Sequence, residues 1–348
     1  SLEREDGYAA YNVLASSGST LVVKDLKQVY RDVTLGAGGA TLDLNGNNFT
    51  WNNAATPDGS GFKSLHLLVE KDVVTNKASK AIQITIKDPG EEAFVGAFKD
   101  TAEGAINVVY EGNLDNPWVM NTVFTDLQNN AASSFTVQQG SVVLQGINTV
   151  HARQLLGRRV VNYFDWHYAD AKMDVVVQEG AEFTLGSHAR LKGDVTVEDG
   201  GVFTMKEYTT HQHEYMEGGV NKDDTYQYRE YFGLHGNINL KGVDSMFNVQ
   251  FSPQNYYEDT DSQSVYDGKI TGSGSMMVDT AGGSLKLTND QNDFTGFKEL
   301  MRGTLVATSK AALGDTANGW GWTIYEAGVL QVTGSGVDEL LRGIDGSS

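Results

Sequence analysis

Apolar and polar residues alternate in short runs along most of this chain, and the runs recur at a nearly fixed distance. Residues 175–186 read VVVQEGAEFTLG and residues 195–206 read VTVEDGGVFTMK, so every superposed pair is 20 residues apart. Val175 meets Val195, Val177 meets Val197, Gly180 meets Gly200, Phe183 meets Phe203, Thr184 meets Thr204 and Leu185 meets Met205. Alternation at period 2 places Val175 and Val177 on one face of a strand. The shared glycine marks a tight or left-handed corner. Further pairs repeat the signal: GSTLVV (18–23) with GATLDL (39–44) at an offset of 21, and GGSLKLT (282–288) with RGTLVAT (302–308) at 20. AGVLQVT (327–333) follows at 25, and FTVQQGSVVLQG (135–146) matches VVVQEGAEFTLG at 40, read as two periods.

A unit of this length with two short strands cannot bury its apolar face alone, so it must stack on its neighbours. The pattern predicts an all-β chain, a right-handed parallel β-helix with inserted loops, running as one unit over residues 1–348. Positions 175, 177, 183 and 185 should point inward and stack on 195, 197, 203 and 205. A rod of roughly 12–15 turns at ~4.8 Å each would be on the order of 60–70 Å long. Leucine-rich repeats share the period, but their Leu-x-x-Leu-x-Leu and Asn pattern is absent, and GAGGATLD (36–43) lacks the spacing of a calcium-binding nonapeptide. Sandwiches do not predict matching glycine and core positions at an offset of 20.

Three segments break the rhythm. Residues 151–172, HARQLLGRRVVNYFDWHYADAK, lose their glycine corners after Gly157 and suit an insertion with a helical turn or two. Residues 206–232, KEYTTHQHEYMEGGVNKDDTYQYREYF, are polar and Tyr-rich and suit a protruding insertion, and 252–269 is irregular as well. A stacked repeat accepts such insertions at its corners.

Composition narrows the picture. With 40% hydrophobic residues, 40 glycines and only 4 prolines, the chain is ordered and turn-rich. It has no cysteine, so neither disulfides nor thiolate metal sites hold it together. The net charge of −19 repels nucleic acid and anionic membranes, and Arg153, Arg158 and Arg159 are too few to reverse it. No run approaches the ~20 apolar residues of a membrane span. The opening SLEREDGYAAYN carries no signal peptide, so the expectation for a secreted protein is a mature fragment.

Several stretches resemble a known family. GGATLDLNGNNFTWNN (38–53) resembles the segment that opens a coil in passengers of the IgA-protease-like serine protease autotransporters. SVVLQGINTVHA (141–152) resembles their Leu-Gln-Gly-His-Pro-x-x-His-Ala segment: Leu144, Gln145, Gly146, His151 and Ala152 match, while Ile147 and Asn148 replace the His-Pro pair. Asp165 and Trp166 look like the family's Asp-Trp segment, and residues 284–315 resemble a repeat seen broadly in autotransporter passengers. The resemblance covers residues 27–315 in patches. It implies type V secretion from a precursor with a signal peptide, a passenger and a C-terminal outer-membrane barrel. It also implies a virulence-associated adhesin, secreted or held at the bacterial cell surface. Its partners would be a host surface or matrix protein or glycan, or a neighbouring bacterium through self-association. No nucleic acid, membrane insertion or cofactor is expected.

The same resemblance raises the question of catalysis. The family carries its serine in Gly-Asp-Ser-Gly, and the nearest string here, PDGSGF (57–62), has the wrong order and reads as a turn. The expectation is a non-catalytic stalk. One alternative is the stalk of a secreted serine protease whose catalytic domain lies outside this chain. The other is a β-helical polysaccharide lyase or hydrolase, which needs Asp, Lys or Arg clustered across successive coils, and the 20-residue alignment displays no such register.

Candidate binding residues fall in the interruptions. Tyr208, Tyr215, Tyr226, Tyr228 and Tyr231 crowd one segment with His211 and His213, and Trp166, His167 and Tyr168 sit in the other. Tyrosine gives a rigid apolar face with a polar tip, suited to recognising protein or sugar, although the same rings also suit packing an insertion onto a rod. His211-x-His213 has the spacing of two metal ligands on a strand but no identifiable third, so exposed loop histidines are the better reading. Asp223, Asp224, Glu258, Asp259 and Asp261 are read as solvated acids rather than calcium ligands. Trp320 and Trp322 alternate with glycine and are expected to pack against the last coils.

Overall fold

A computed structural model describes residues 11–24, 30–36, 38–52, 64–67, 71–89, 94, 96–120, 127–156, 159–167, 169–186, 189–207, 215–217, 220–222, 233–251, 264–315 and 317–333. The fold is all-β and built mainly from parallel sheets, and its one helical turn among these residues is the 3-10 turn Ala311–Leu313.

Short alternating strands meet their counterparts in later repeats, not their sequence neighbours. In a first sheet, Phe49–Asn52, Ile82–Asp88, Ile106–Glu111, the start of Ser134–Leu144, Val175–Val177, Val195–Val197, Ile238–Leu240 and Ile270–Gly272 pair in parallel, in chain order. In a second, Trp118–Met120, the end of Ser134–Leu144, Ala181–Leu185, Val202–Glu207 and Met246–Phe251 lead to the first parts of Ser275–Leu287, Lys298–Ala307 and Trp322–Val332. A third set joins Ala169–Ala171 to Ala189–Leu191, which bridges to Leu234. It continues with Ser264–Tyr266 and the second parts of the three long strands. On the N-terminal side, Thr20–Val22, Thr41–Asp43, Val73–Thr75 and Ala97–Lys99 form one more parallel sheet, and Tyr11–Ala15, Tyr30–Leu35 and Ser64–Leu67 another.

The repeat register holds residue by residue. Val175 pairs with Val195 and Val177 with Val197; Phe183 pairs with Phe203 and Leu185 with Met205. All eight side chains are buried. Thr20 pairs with Thr41, and Leu285 with Leu305 and then Leu330. The 40-residue match needs correcting: Phe135 pairs directly with Val175, so the two are adjacent tiers, not two periods apart. The extra residues are taken up by a hairpin between them.

The strands feed one continuous core, from a single side chain such as Leu42 to four in Ser134–Leu144 (Phe135, Val137, Val142 and Leu144), and each large apolar side chain removed from water is worth about 1.5–3 kcal/mol. Phe183, Phe203 and Phe247 stack with ring centroids 5.9 and 5.3 Å apart. Gly180 and Gly200 turn the corner with φ of 68° and 73°, which a side chain would strain, and the Gly180 N–H donates to Gly200 O at 3.0 Å. A second corner carries a polar ladder. Asp174 Oδ1 accepts the Asp194 N–H at 2.9 Å, Asp194 Oδ1 that of Asn237 at 2.7 Å, and Asn237 Oδ1 that of Lys269 at 2.9 Å. A backbone donor at each step thereby gains a side-chain acceptor on the tier before.

The segment expected to hold a helical turn is extended. Ile147–Leu156 and Arg159–His167 form an antiparallel hairpin, from Ile147 opposite His167 to Leu156 opposite Arg159. β-branched and aromatic residues in VVNYFDWH favour strand over helix. The return to the parallel stack is at Ala169–Ala171, inside the segment read as an insertion.

Candidate interaction surface

The three interruptions leave the stack at one corner. The chain departs from the second sheet at Leu144, at Glu207 and at Phe251, and rejoins the third set at Ala169, at Leu234 and at Ser264. In the tier between the first two, Leu185 passes to Ala189 across a short connection. The repeat register dictates this coincidence, because Leu144, Leu185, Met205 and Val249 lie in one column of paired residues.

At the base of the first interruption, Trp166 lies opposite Asn148 and His167 opposite Ile147 on the hairpin backbone, next to the stack. Tyr168 lies outside the described residues. In the second, Tyr215–Glu217 and Val220–Lys222 make a small antiparallel ladder, with Tyr215 opposite Lys222. Tyr208, His211, His213, Tyr226, Tyr228 and Tyr231 lie outside the described residues, as do Asp223, Asp224, Glu258, Asp259, Asp261 and the PDGSGF string.

A different set of groups stands out in the C-terminal tiers. The column Phe183–Phe203–Phe247 continues through Met276 to Lys298 and Trp322. Lys298 is therefore an interior residue, 1% exposed. Its Nζ donates to Trp320 O at 2.9 Å and Gly296 O at 3.1 Å, lies 3.5 Å from Asp315 O, and sits 4.8 Å from the Phe294 ring centroid. Burial pulls its pKa from the ordinary 10.5 to about 8, against the opposing pull of Asp315. Backbone carbonyls and a ring face solvate the ammonium, and among the described residues no carboxylate forms an ion pair with it.

Trp322 packs inside as expected, its indole N–H donating to Leu313 O at 3.1 Å. Trp320 packs against the last tiers from outside: it is 60% exposed and stacks on Phe297, itself 55% exposed, with centroids 4.5 Å apart. The stack is possible because strand pairing turns Lys298 inward and so sends Phe297 outward, where Trp320 meets it. Sequence reasoning missed Lys298 and Phe297. The Gly-Trp-Gly-Trp string was visible, but not which indole faces water.

Among the described residues no group of three or more His, Asp or Glu side chains could hold a metal ion. Comparisons with protein-family models, with curated proteins and with solved structures give no match.

Proposed function

We propose that this chain is a right-handed parallel β-helix serving as the non-catalytic stalk of a secreted autotransporter passenger, displaying adhesive segments outside the cell. The observation that carries this reading is the shared corner. A stack of near-identical tiers offers little chemical variety, and the chain's least repetitive, most Tyr-rich segments all depart from one column of it. In-register parallel pairing over successive tiers and a continuous apolar interior support the rod; the passenger-like motifs at 38–53, 141–152 and 284–315 support the secretion route. The partners that fit are a host surface or matrix protein or glycan, or a neighbouring bacterium.

The test is to delete residues 209–229 and close the gap with a short glycine linker. Val202–Glu207 and the tiers around it keep their core partners in such a variant. Circular dichroism and melting should stay native while binding to host cells, matrix proteins or sister bacteria falls. Unchanged binding by a natively folded variant would sink the adhesive role of that segment.

A further inference from the structure

We infer that the outer face of the last tiers carries a glycan-binding strip, centred on Trp320 and Phe297, for an uncharged oligosaccharide or polysaccharide. It is built from the stacked tiers and not from the three interruptions, although its Asp279 end pairs with Gln250 beside the point where the third departs, and it goes beyond the adhesive reading given to them.

The strip runs along one strand, which is paired on both sides. Phe297 and Glu299 are two residues apart and share the outward face of the second sheet, while Lys298 between them is buried. Met277, Glu299 and Thr323 stand in one outward column across three tiers. Tyr325, 41% exposed, donates its hydroxyl to Glu299 Oε1 at 3.2 Å. At the far end Arg302 clamps Asp279 with two nitrogens, Nε to Oδ1 at 2.9 Å and Nη2 to Oδ2 at 2.6 Å. From Phe297 to Arg302 is five residues of extended chain, with irregular pairing between Leu300 and Arg302, a span of at most ~17 Å, the scale of a short saccharide.

The chemistry fits sugar better than the other occupants. Pyranose rings present a flat C–H face to aromatic rings and a rim of hydroxyls to carboxylate, guanidinium and phenol groups. The strip offers both in one line. Nucleic acid and sulfated or uronic polysaccharides are opposed by the chain's −19 charge. A protein partner needs about 800 Å² on each side, and the solvent-facing apolar surface here amounts to a few side chains. The remaining large apolar residues exposed among the described ones, such as Leu14, Leu114, Val243 and Val265, are scattered aliphatics, ordinary for a protein surface. The aromatic pair is also held in place. The Trp320 N–H donates to Thr295 O at 3.1 Å, and its carbonyl accepts the buried Lys298 ammonium at 2.9 Å. A platform fixed from beneath loses little entropy when a ligand settles on it.

The test is native affinity electrophoresis of the purified chain in gels containing hydroxyethylcellulose, galactomannan, mixed-linkage glucan or dextran, with chondroitin sulfate as the anionic control. The expected result is retardation by at least one neutral polysaccharide and none by chondroitin sulfate. Trp320→Ala should weaken binding roughly tenfold or more, Trp320→Phe should restore part of it, and Leu114→Ala should leave it unchanged. Circular dichroism should be native in all three. The inference is overturned if no neutral polysaccharide retards the chain, if Trp320→Ala is retarded like the parent, or if only chondroitin sulfate retards it. It is also overturned if Trp320→Ala changes only the sedimentation of the chain, which would make the strip a contact between copies. Because the readout uses purified chain and defined polysaccharide, its failure leaves the deletion test of residues 209–229 untouched.

Discussion

The central tiers and the C-terminal tiers use the same column of positions in different ways. At 183, 203 and 247 the column is phenylalanine on phenylalanine, sealed from water, flanked by Glu182, Val202 and Met246 on one side and Thr184, Thr204 and Asn248 on the other, none of them aromatic. At 276, 298 and 322 it is methionine, lysine and tryptophan, and the outward neighbours include an exposed stacked aromatic pair. Both regions keep the same parallel register. The difference teaches that hydrogen bonding along strands, together with the apolar majority of a tier, sets which way each residue points. A single misfit such as Lys298 is then accommodated by loop carbonyls while Met276, Lys298 and Trp322 stay paired; the pairing shifts only further along, at Asp279 and between Leu300 and Arg302.

That comparison can be broken most severely at its regular end. Val197 is fully buried between Val177 and Leu240, so Val197→Asp should cost about 4 kcal/mol or more through an unpaired interior charge. Denaturant unfolding should show a collapse of the midpoint or no folded protein; a near-native midpoint would contradict the inward register. Phe203→Ala, which opens a cavity between Phe183 and Phe247, should cost about 3–5 kcal/mol by the same measurement.

The irregular end offers a pH test. Lys298 has a folded pKa lowered to about 8, against 10.5 when unfolded. Below pH 8 both states carry the proton, and the folded state bears the full penalty of a buried charge. Between 8 and 10.5 the unfolded chain binds more protons than the folded one, so this group's contribution to stability rises with pH until the penalty is gone. Relative to Lys298→Met, the parent chain should therefore gain melting temperature from pH 7.5 to 10, and parallel profiles would show that Lys298 is not buried as a charge.

Smaller effects sharpen the picture. The Tyr266 hydroxyl is buried and donates to Gly236 O at 2.9 Å, so Tyr266→Phe should cost about 1 kcal/mol with the sheet signal unchanged in circular dichroism. Arg302→Ala removes an exposed ion pair with Asp279 and should have the smallest effect on melting, shrinking further in high salt.

The sequence by itself determined the class of the fold and much of its register. Repeats at 20 residues, alternation at Val175/Val177 and Val195/Val197, and the paired Gly180 and Gly200 are local facts, and period-2 strands with recurring corners have few ways to bury their apolar faces. It marked where the repeat breaks but not the bounds: the first hairpin begins at Ile147 and ends at His167, and Lys206 and Glu207 still pair with Gln250 and Phe251. Tertiary structure decided the rest. That Phe135 neighbours Val175 depends on residues 147–167 folding on themselves as a hairpin, which no offset reveals. That the three interruptions share a corner depends on how many residues each tier spends before it turns. Phe297 and Lys298 are adjacent, and local hydrophobicity alone would put the phenylalanine inside. Pairing of Met276 with Lys298 and of Lys298 with Trp322 reverses that choice, because strand register is a property of neighbouring tiers and each one-residue step changes the face.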